Sequence, residues 1–525
     1  MPSILIRPKW HARNRPLVTG TSGSTPAVQA NPSAVGELRV STLVEIILGQ
    51  AGTDLTLKHA FCCLVFCESR ELDLSVNLDR VADLKRREDA LFSAAHAKSQ
   101  AALERGRRSM PHGVPMSWMT ELYDHPPMFV AEADGIQFTD IDGNRYRDFS
   151  LGITAAFCGH NPAPTVTAAA RQLAKGSVLQ LPTEDAIWVA EELRRRYRQP
   201  KWQFTVTASQ ANSELLLLSR LATGRKKILV FEGKYHGHVA PLLALDDRGA
   251  SVPEYRGIQP EEVKHTAVVR FNDLVAVEQV LRQQNVALIL SEPAMTNLGL
   301  IKPVAGFHDG LRSLAREYDA ILAIDETQTQ ACSYGGLSRL WDLSSDAFVI
   351  GKSMAGGVPL AAYGMSERLA AEIERSAHPD YLASGPIDQP ALGGTMFANA
   401  VSMAACRANL GEVMTIAAYE RATSLAATLA SGLQAVIDNR RLPWSICQIG
   451  TRVWCCYSTV LPENADEVRG CDIPALRDLQ RVYLANRGIW DFGTWAGPIV
   501  GLPASEGDID AYLGAWSELL REVCN

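Results

Sequence analysis

A lysine at the end of one apolar run is the residue whose surroundings first suggest chemistry. In "DAFVIGKSMAGGVP" (346–359) the apolar run is typical of a short buried strand, and Lys352 follows it, ahead of small residues and glycines. A lysine is seldom fully buried without a partner. In an apolar, desolvated place its amine has a lowered pKa and becomes a nucleophile. Lys352 is therefore either a surface residue at a strand end or a reactive amine at a cleft.

Four other apolar runs, "QFTVT", "KILVF", "ALILSEP" and "AILAID", also lead into polar or small residues. The residues that follow or end these runs are, in chain order, Ala208, Ser209, Tyr235, His236, Glu292 and Asp325. In open sheets of parallel strands, ligands bind outside the carboxyl ends of the strands. The five runs together therefore predict a cleft at one edge of a sheet.

Three of these features match three chemical groups of one cofactor. A helix that begins beside Ser209 offers free backbone N–H groups and a positive dipole end, which suit a phosphate, although a plain serine cap gives the same pattern. A buried Asp325 needs a cationic partner, and a protonated ring nitrogen supplies one. The amine of Lys352 forms a Schiff base with an aldehyde. Phosphate, pyridinium and aldehyde are the three chemical groups through which a protein can bind pyridoxal phosphate, a cofactor that withdraws electrons from carbanions.

The elements that must position these residues alternate along the chain. Between about 165 and 365, helical patterns alternate with the short apolar runs, which predicts an α/β fold with a doubly wound, mostly parallel sheet. Upstream, 78–108 predicts one long helix, and Asp142-Gly143 predicts a hairpin between two short strands. The helix after "QFTVT" is expected to begin at about Ala211. Beyond about 396, helices predominate, with strand-like pieces at "RVWCCYS" and "GPIVGLP".

Five segments, in this order, resemble the class III (fold type I) pyridoxal-phosphate aminotransferases, in the branch that includes glutamate-1-semialdehyde aminomutase. They are "FEGKYHGH", "SEPAMTN", "LAIDETQT", "IGKSMAGGVP" and "GGTMFANAVSMAA", and the resemblance covers about residues 85–525. Each segment alone is a weak signal, whereas five in the family's order are a strong one. The resemblance implies a large cofactor-binding domain (165–395) and a smaller α+β domain, built from an N-terminal helix and hairpin segment (78–164) and a C-terminal part (396–525). The N-terminal extension (1–77) matches no part of the family's pattern; we leave its fold unassigned, with a disordered segment as the alternative.

The resemblance also implies roles for single residues. Lys352 forms the Schiff base and moves the proton between substrate and cofactor, while Asp325 keeps the pyridine nitrogen protonated. The remaining implied cofactor residues are Ala208 and Ser209 at the phosphate, Thr395 at the phosphate of the neighbouring subunit, Tyr235 and Thr327 on the two ring faces, Asn297 near the phenolic oxygen, Glu292 as an orienting residue, and His236 in contact with the cofactor or in support of its neighbours. The contribution of Thr395 implies a homodimer.

Three of the replacements that depart from the family's pattern bear on the site. "TASQA" (207–211) stands where the family usually has Ser-Gly-Thr-Glu-Ala, so Ala208 replaces a glycine and Gln210 removes a charge. Thr327 replaces a valine and places a hydroxyl close to the ring. None of them removes Lys352 or Asp325, so catalysis is still expected.

The implied function is amino-group transfer between an amino acid or amine and a keto acid or aldehyde. Met116, Trp118 and Trp495 predict an apolar wall for a bulky or aromatic substrate, and their segments offer no arginine for a substrate carboxylate. The alternatives with the same cofactor are an intramolecular aminomutase, which would be an isomerase, and an amino-acid racemase. A protein that keeps the fold without catalysis is the third hypothesis. The identities of donor and acceptor and the stereochemistry stay open.

The overall composition argues against several other classes of protein. The chain has 525 residues and a net charge of -7, and it has no apolar run of about 18 residues, so neither nucleic acid nor a membrane is expected as a partner. Its 11 cysteines follow no zinc-site spacing, and no metal is expected. The first 36 residues contain arginines and no acidic residue, which fits a mitochondrial presequence or a disordered tail. We expect a cytoplasmic enzyme, with mitochondria as the alternative location.

Overall fold

The apolar runs that lead to the predicted site residues are strands of one sheet. The computed structural model describes residues 76–121, 124–283, 285–375, 392–491 and 496–524. The predictions for residues 1–75 of the N-terminal extension and for Trp495 lie outside the described residues.

The elements are numbered along the chain. The strands are β1 Val130–Asp134, β2 Gln137–Asp140, β3 Arg145–Asp148, β4 Lys201–Thr205, β5 Lys227–Phe231, β6 Ala244–Asp247, β7 Ala250–Pro253, β8 Thr266–Val269, β9 Val286–Ser291, β10 Ile321–Asp325, β11 Ala347–Ile350, β12 Ala361–Met365, β13 Ser445–Ile449, β14 Arg452–Cys456 and β15 Ile489–Trp490. The α-helices are α1 Leu78–Ala95, α2 Ala97–Gly106, α3 Trp118–Glu121, α4 Ala163–Leu173, α5 Glu184–Tyr197, α6 Ala208–Thr223, α7 Pro260–Val263, α8 Leu274–Gln283, α9 Phe307–Glu317, α10 Gly336–Leu340, α11 Glu367–Glu374, α12 Ala400–Ala408, α13 Ile416–Asn439, α14 Ala465–Gly470, α15 Pro474–Ala485 and α16 Glu506–Val523.

Seven strands make the central sheet, in the order β4-β12-β11-β10-β9-β5-β8. The pairs β10–β11, β10–β9, β5–β9 and β5–β8 are parallel, whereas β12 runs antiparallel to β11 and β4. Six strands therefore point the same way, and their carboxyl ends share one edge. This confirms the predicted α/β class and the mostly parallel sheet. The sequence patterns miss β8 and β12, which are short or rich in alanine and glycine and so have weak strand signals.

Both faces of the central sheet are buried, because the side chains of its strands alternate between two layers of core. Ile228 of β5 packs in one cluster with Leu215 of α6. Its neighbour Leu229 packs in another cluster with Phe307 of α9. Continuous apolar runs are typical of strands that are covered on both faces. The same coverage leaves the strand ends as the place where polar groups can gather.

Smaller sheets surround this core. β1, β2, β3 and β15 form a four-stranded sheet in that order, and the predicted hairpin at Asp142-Gly143 joins β2 to β3. β13 and β14 form an antiparallel hairpin that packs against α13. The described residues from 76 onward belong to one compact unit. The predicted boundaries near 165 and 396 stay predictions.

The structure corrects three of the predicted elements. The single helix predicted over 78–108 is two helices, because His96 departs from helical geometry (φ -123°) and its ring lies 2.7 Å from the hydroxyl of Tyr146. The helix expected from Ala211 begins at Ala208 instead, since Thr207 caps it. "GPIVGLP" forms no strand; it contributes one bridge, between Ile499 and Arg452.

The described residues contain neither a membrane-spanning helix nor a metal site. No helix in this part of the chain is long and apolar enough to cross a membrane. The same residues contain no group of three or more metal-ligating side chains with the geometry of a metal site.

Candidate active site

The carboxyl ends of the central strands enclose a cavity of about 340 Å³. Eight of the ten residues predicted to bind the cofactor line it; the exceptions are Asn297 and Thr395. They meet because β4, β5, β9, β10 and β11 run in one direction, so the residues after each strand emerge at one edge. The cleft predicted from the strand ends is therefore a real cavity.

Lys352 stands where β11 ends and a short 3-10 helix, Lys352–Ala355, begins. Its backbone is left-handed (φ 53°), and Asn409 holds the turn by donating from Nδ2 to the carbonyl of Ser353 at 2.8 Å. Burial, followed by the nearby guanidinium of Arg452, lowers the pKa of Lys352 to about 7, against the opposing effect of Asp325. Near neutral pH a substantial fraction of this amine is therefore uncharged and nucleophilic.

Asp325 ends β10 and is the centre of a buried network. Its Oδ2 lies 2.9 Å from Nδ1 of His236 and accepts a hydrogen bond from Nδ2 of Asn212 at 3.1 Å. Its Oδ1 accepts from the backbone N–H of Thr327 at 2.9 Å. Burial raises the pKa of Asp325, but the hydrogen bonds from His236 and Thr327 outweigh burial and hold the pKa below its ordinary value. The carboxylate is thus kept ionised, ready to face a cation.

Glu292 follows β9 and faces the same cavity. Burial raises its pKa, and the nearby His236 opposes that rise. Its oxygens accept from the backbone N–H of Tyr235 at 3.3 Å and from the N–H and hydroxyl of Thr296 at 3.2 and 3.0 Å. Glu292 therefore fixes the loop that carries Tyr235.

The first turn of α6 presents the backbone that was predicted to hold a phosphate. Thr207 and Gln210 close a capping box, in which the Thr207 side chain accepts from the Gln210 N–H and the Gln210 side chain accepts from the Thr207 N–H. The Gln210 side chain, which stands where the family usually has glutamate, therefore has a structural role in capping α6. Ser209 Oγ accepts from the N–H of His238 at 3.1 Å, an approach that needs Gly237, since a Cβ there would lie 2.1 Å from Ser209 Oγ.

The remaining predicted residues lie away from the cavity surface or outside the description. Asn297 is buried and does not line the cavity, and its Nδ2 has no hydrogen-bond partner. Thr395 is exposed and lines a second concavity together with residues 178–182. Met116 is 44% exposed, and neither it nor Trp118 lines the cavity. Trp495 lies outside the described residues.

The prediction from sequence missed Gln328, which lines the cavity, and Arg452, which is hydrogen-bonded to it. Arg452 belongs to β14, is only 1% exposed, and donates from Nη1 to Oε1 of Gln328 at 3.2 Å. It also donates from Nη2 to the carbonyls of Thr296 at 3.1 Å and Ala496 at 3.4 Å. The arginine at the start of the apolar strand "RVWCC" could have indicated such a residue, because an arginine is rarely fully buried unless it is paired.

A left-handed turn forms another part of the cavity wall that was not predicted. Leu151, Gly152, Ile153 and Thr154 have φ values of 44°, 55°, 53° and 69°, and the next residue, Ala155, lines the cavity. Only glycine adopts this conformation without strain. The turn therefore presents Ala155 at the cost of strain in three non-glycine residues.

The residues of the cavity fit pyridoxal phosphate, the cofactor that the resemblance implies. A helix begins at Ala208 with its positive dipole end, and an ionised aspartate and a lysine of lowered pKa face one space. Polar atoms that are buried without partners also lie here: Nε2 of His236 and Oγ1 of Thr327. Buried polar groups are ordinarily hydrogen-bonded, so a polar ligand is expected to complete them.

Comparisons with known proteins agree with this geometry. The family model described as aminotransferase class-III matches residues 119–452. The chain is 31% identical over 363 residues to a glutamate-1-semialdehyde 2,1-aminomutase of Gemmatimonas aurantiaca, covering 68% of this chain and 80% of that protein. A crystal structure of a glutamate-1-semialdehyde aminomutase from Pseudomonas aeruginosa has 38% identity and a TM-score of 0.80, with 85% and 99% of the two chains covered. A β-phenylalanine aminotransferase from Variovorax paradoxus has 26% identity and a TM-score of 0.73, with 85% and 98% covered.

Proposed function

The chain belongs to the aminotransferase class-III family, whose cofactor is pyridoxal phosphate, and on that premise we propose that it is an enzyme that transfers amino groups. One observation carries the proposal: a lysine whose pKa is lowered to about 7 shares a cavity with an ionised, hydrogen-bonded aspartate. An amine that gains and loses a proton near neutral pH suits both nucleophilic attack and proton transfer.

Each residue of the site then has a defined task. When bound, pyridoxal phosphate supplies an aldehyde for the amine and a ring that withdraws electrons from the reacting carbon. Lys352 Nζ would take the proton from the substrate carbon as a base and, as an acid, deliver it to the cofactor. Asp325 keeps a proton on the ring nitrogen, and His236 and Asn212 hold the carboxylate in place. Ala208 and Ser209 orient the phosphate through the first turn of α6.

A test of these tasks uses Lys352→Ala. This variant should bind the cofactor through its other contacts and have no measurable turnover, because the nucleophile and base is gone. Lys175→Ala, a change at an exposed lysine, should behave as the wild type. Normal turnover in Lys352→Ala would refute the assignment.

The type of transfer that we propose first is intramolecular, as in an aminomutase. The support is that the most similar proteins reported above carry the name glutamate-1-semialdehyde 2,1-aminomutase. The test supplies glutamate-1-semialdehyde labelled with ¹⁵N, together with unlabelled keto acids as possible acceptors, and follows the label by NMR. The label should move from carbon 2 of the substrate to carbon 1 of the product. Loss of the label to a separate acceptor would contradict the intramolecular reaction.

A transaminase that acts on bulky, apolar amino acids or amines is the second candidate. Its support is the apolar wall of the cavity, formed by Val206, Val358, Pro359 and Leu360, and the similarity to a β-phenylalanine aminotransferase. Given an amino donor alone, a transaminase loses the cofactor's visible absorbance and does not regain it. An aminomutase or a racemase returns to the starting spectrum, so a panel of donors separates these candidates.

We also propose that the enzyme works as a homodimer. The support is the exposed concavity at Thr395, which is lined by Leu179 and Leu181, two apolar side chains that are 47% and 74% exposed, and the 51% exposed Met396 follows Thr395 in the chain. Covering such a patch with a second copy would remove it from water. Light scattering should give twice the monomer mass, and Leu181→Asp should shift the mass toward the monomer. A fully active monomer would exclude the dimeric site.

A further inference from the structure

Lys352 has a backbone conformation that a lysine rarely adopts. Its φ is 53°, in the left-handed region, where a residue with a Cβ is strained. Residues in such a conformation persist only when the surrounding structure determines it, and they are concentrated at active sites. The contacts that hold the backbone at Lys352 therefore bear on the chemistry of its amine.

Asn409 holds the backbone that follows Lys352. Its side chain is fully buried, and its Nδ2 donates to the carbonyls of Ser353 at 2.8 Å and Met354 at 3.1 Å. Its Oδ1 accepts from the hydroxyl of Thr165 at 3.3 Å. A carbonyl can only accept hydrogen bonds, so the NH₂ group of the amide must face the turn. One planar group thus fixes two carbonyls of this turn.

Gln330 holds the backbone that precedes Lys352. Its side chain is 1% exposed, and its Nε2 donates to the carbonyl of Gly351. Gln330 is itself held at both ends of its backbone. Its N–H donates to the carbonyl of Glu326 at 2.8 Å, and its carbonyl accepts from the hydroxyl of Tyr419 at 2.9 Å. It is therefore a fixed point from which the carbonyl of Gly351 can be held.

The two amides come from separate segments and act on opposite sides of one residue. Neither Asn409 nor Gln330 lines the cavity, so what they do there is exerted through Lys352. Asn409 also begins a turn of π-helix, Asn409–Val413, and such turns occur frequently at functional sites. The direction of the backbone at Lys352 determines where its side chain can reach.

We propose that Asn409 and Gln330 are positioning residues, which together hold Lys352 in the left-handed conformation and so direct its amine into the cavity. Without either amide, the backbone would relax toward an unstrained conformation and carry Nζ away from the carbon that it attacks. This inference rests on the proposed function and deepens it, because it assigns two residues to the placement of the nucleophile. A displacement of about 1 Å in an active site can lower a rate on the order of 100-fold.

The test separates placement of the amine from binding of the cofactor. The full-length protein is mixed with saturating pyridoxal phosphate, whose aldehyde condenses with the amine of Lys352 to an imine with loss of water. The change in visible absorbance gives the first-order rate constant of that step. Pyridoxamine phosphate has the same phosphate and ring but no aldehyde, so its dissociation constant reports the other contacts alone. Asn409→Leu and Gln330→Met should each lower the rate constant by about 10- to 100-fold and change the dissociation constant by less than about twofold.

Two matched controls remove amides of the same kind elsewhere. Asn486→Leu removes an Nδ2 that donates to the backbone carbonyl of Glu88 at 2.9 Å and to its carboxylate at 2.7 Å. Gln199→Met removes an Nε2 that donates to the carbonyl of Ser345 at 3.0 Å. Both controls lose hydrogen bonds but leave the turn at Lys352 intact, so both should keep the wild-type rate constant.

If Asn409→Leu does not fold, Gln330→Met decides the question, because it breaks the hydrogen bond on the other side of Lys352 and leaves Asn409 in place. Imine formation at the wild-type rate in a folded Asn409→Leu or Gln330→Met protein would refute the positioning role. A rate constant and an affinity for pyridoxamine phosphate that fall by the same factor would refute it too, since they indicate a general loss of structure.

Failure of the proposed function gives a different result. Borohydride reduces the imine to a stable amine, so mass spectrometry of the reduced wild type should find the cofactor attached to Lys352. A wild type that does not attach pyridoxal phosphate to Lys352 would refute the proposed function, and the positioning role with it. A wild type that attaches it normally, with variants that do so equally fast, would refute the positioning role alone.

Discussion

Lys352→Met in the cofactor-free protein tests the physical basis of the site. A lysine whose pKa is about 7 instead of its ordinary 10.5 is disfavoured in its charged form by about 5 kcal/mol, at about 1.4 kcal/mol per pKa unit. Between pH 7 and 10.5 the unfolded chain holds a proton on this amine that the folded chain has released. The free energy of unfolding should therefore rise with pH across that window, and the full penalty should be present below pH 7. Methionine keeps most of the volume and removes the penalty.

The measurement is urea unfolding of the wild type and the variant at pH 6, 8 and 10, with free energies obtained by linear extrapolation. Lys352→Met should be the more stable protein by about 5 kcal/mol at pH 6, about 3 kcal/mol at pH 8 and about 1 kcal/mol at pH 10. Lys175→Met, at an exposed position, should show no such dependence on pH. A difference between wild type and Lys352→Met that stays constant with pH would refute the low pKa and the nucleophilic amine inferred from it.

Three further outcomes are expected. Asp325→Asn should keep the cofactor bound but lower the turnover rate by on the order of 100-fold or more, because the charge that holds the proton on the ring nitrogen is lost; single-turnover absorbance would measure this. Gly237→Ala should weaken cofactor binding and stability, since its Cβ would lie 2.1 Å from Ser209 Oγ; equilibrium titration with pyridoxal phosphate and thermal unfolding, set against Gly249→Ala, whose added Cβ meets no atom within 4 Å, would measure both. A chain that starts at Val76 should bind the cofactor as the full chain does, whereas one that starts at Leu78 lacks the cap of α1 and should lose about 1 kcal/mol of stability.

The sequence predicted the sheet and most of the cavity because both depend on local patterns. Apolar runs mark buried strands wherever they pair, and parallel strands bring their carboxyl ends together without any knowledge of strand order. Lys352 and Asp325 could therefore be placed at one edge from their positions after two runs. The motifs of a known family added the identity of the ligand.

The features that the sequence did not predict depend on contacts between distant segments. Arg452 meets Gln328 across 124 positions of the chain, and no periodicity encodes that distance. The close approach of Gly237 to Ser209 is likewise visible only once α6 and the loop after β5 are side by side. The cap of α6 at Thr207 could have been predicted from the local sequence, since a threonine three residues before a glutamine is the pattern of a capping box.

The left-handed turn that ends at Ala155 has a consequence for how the protein responds to selection. Ile153 and Thr154 are β-branched residues at positive φ, where each costs on the order of 1–3 kcal/mol. Glycine at either position would adopt the same backbone without that cost. Because natural proteins lie only just above the stability that they need, laboratory selection for heat resistance should find changes in this turn early. Selection for new substrates would act on the same wall of the cavity. Changes that raise stability and changes that alter substrate specificity would therefore fall on the same few positions.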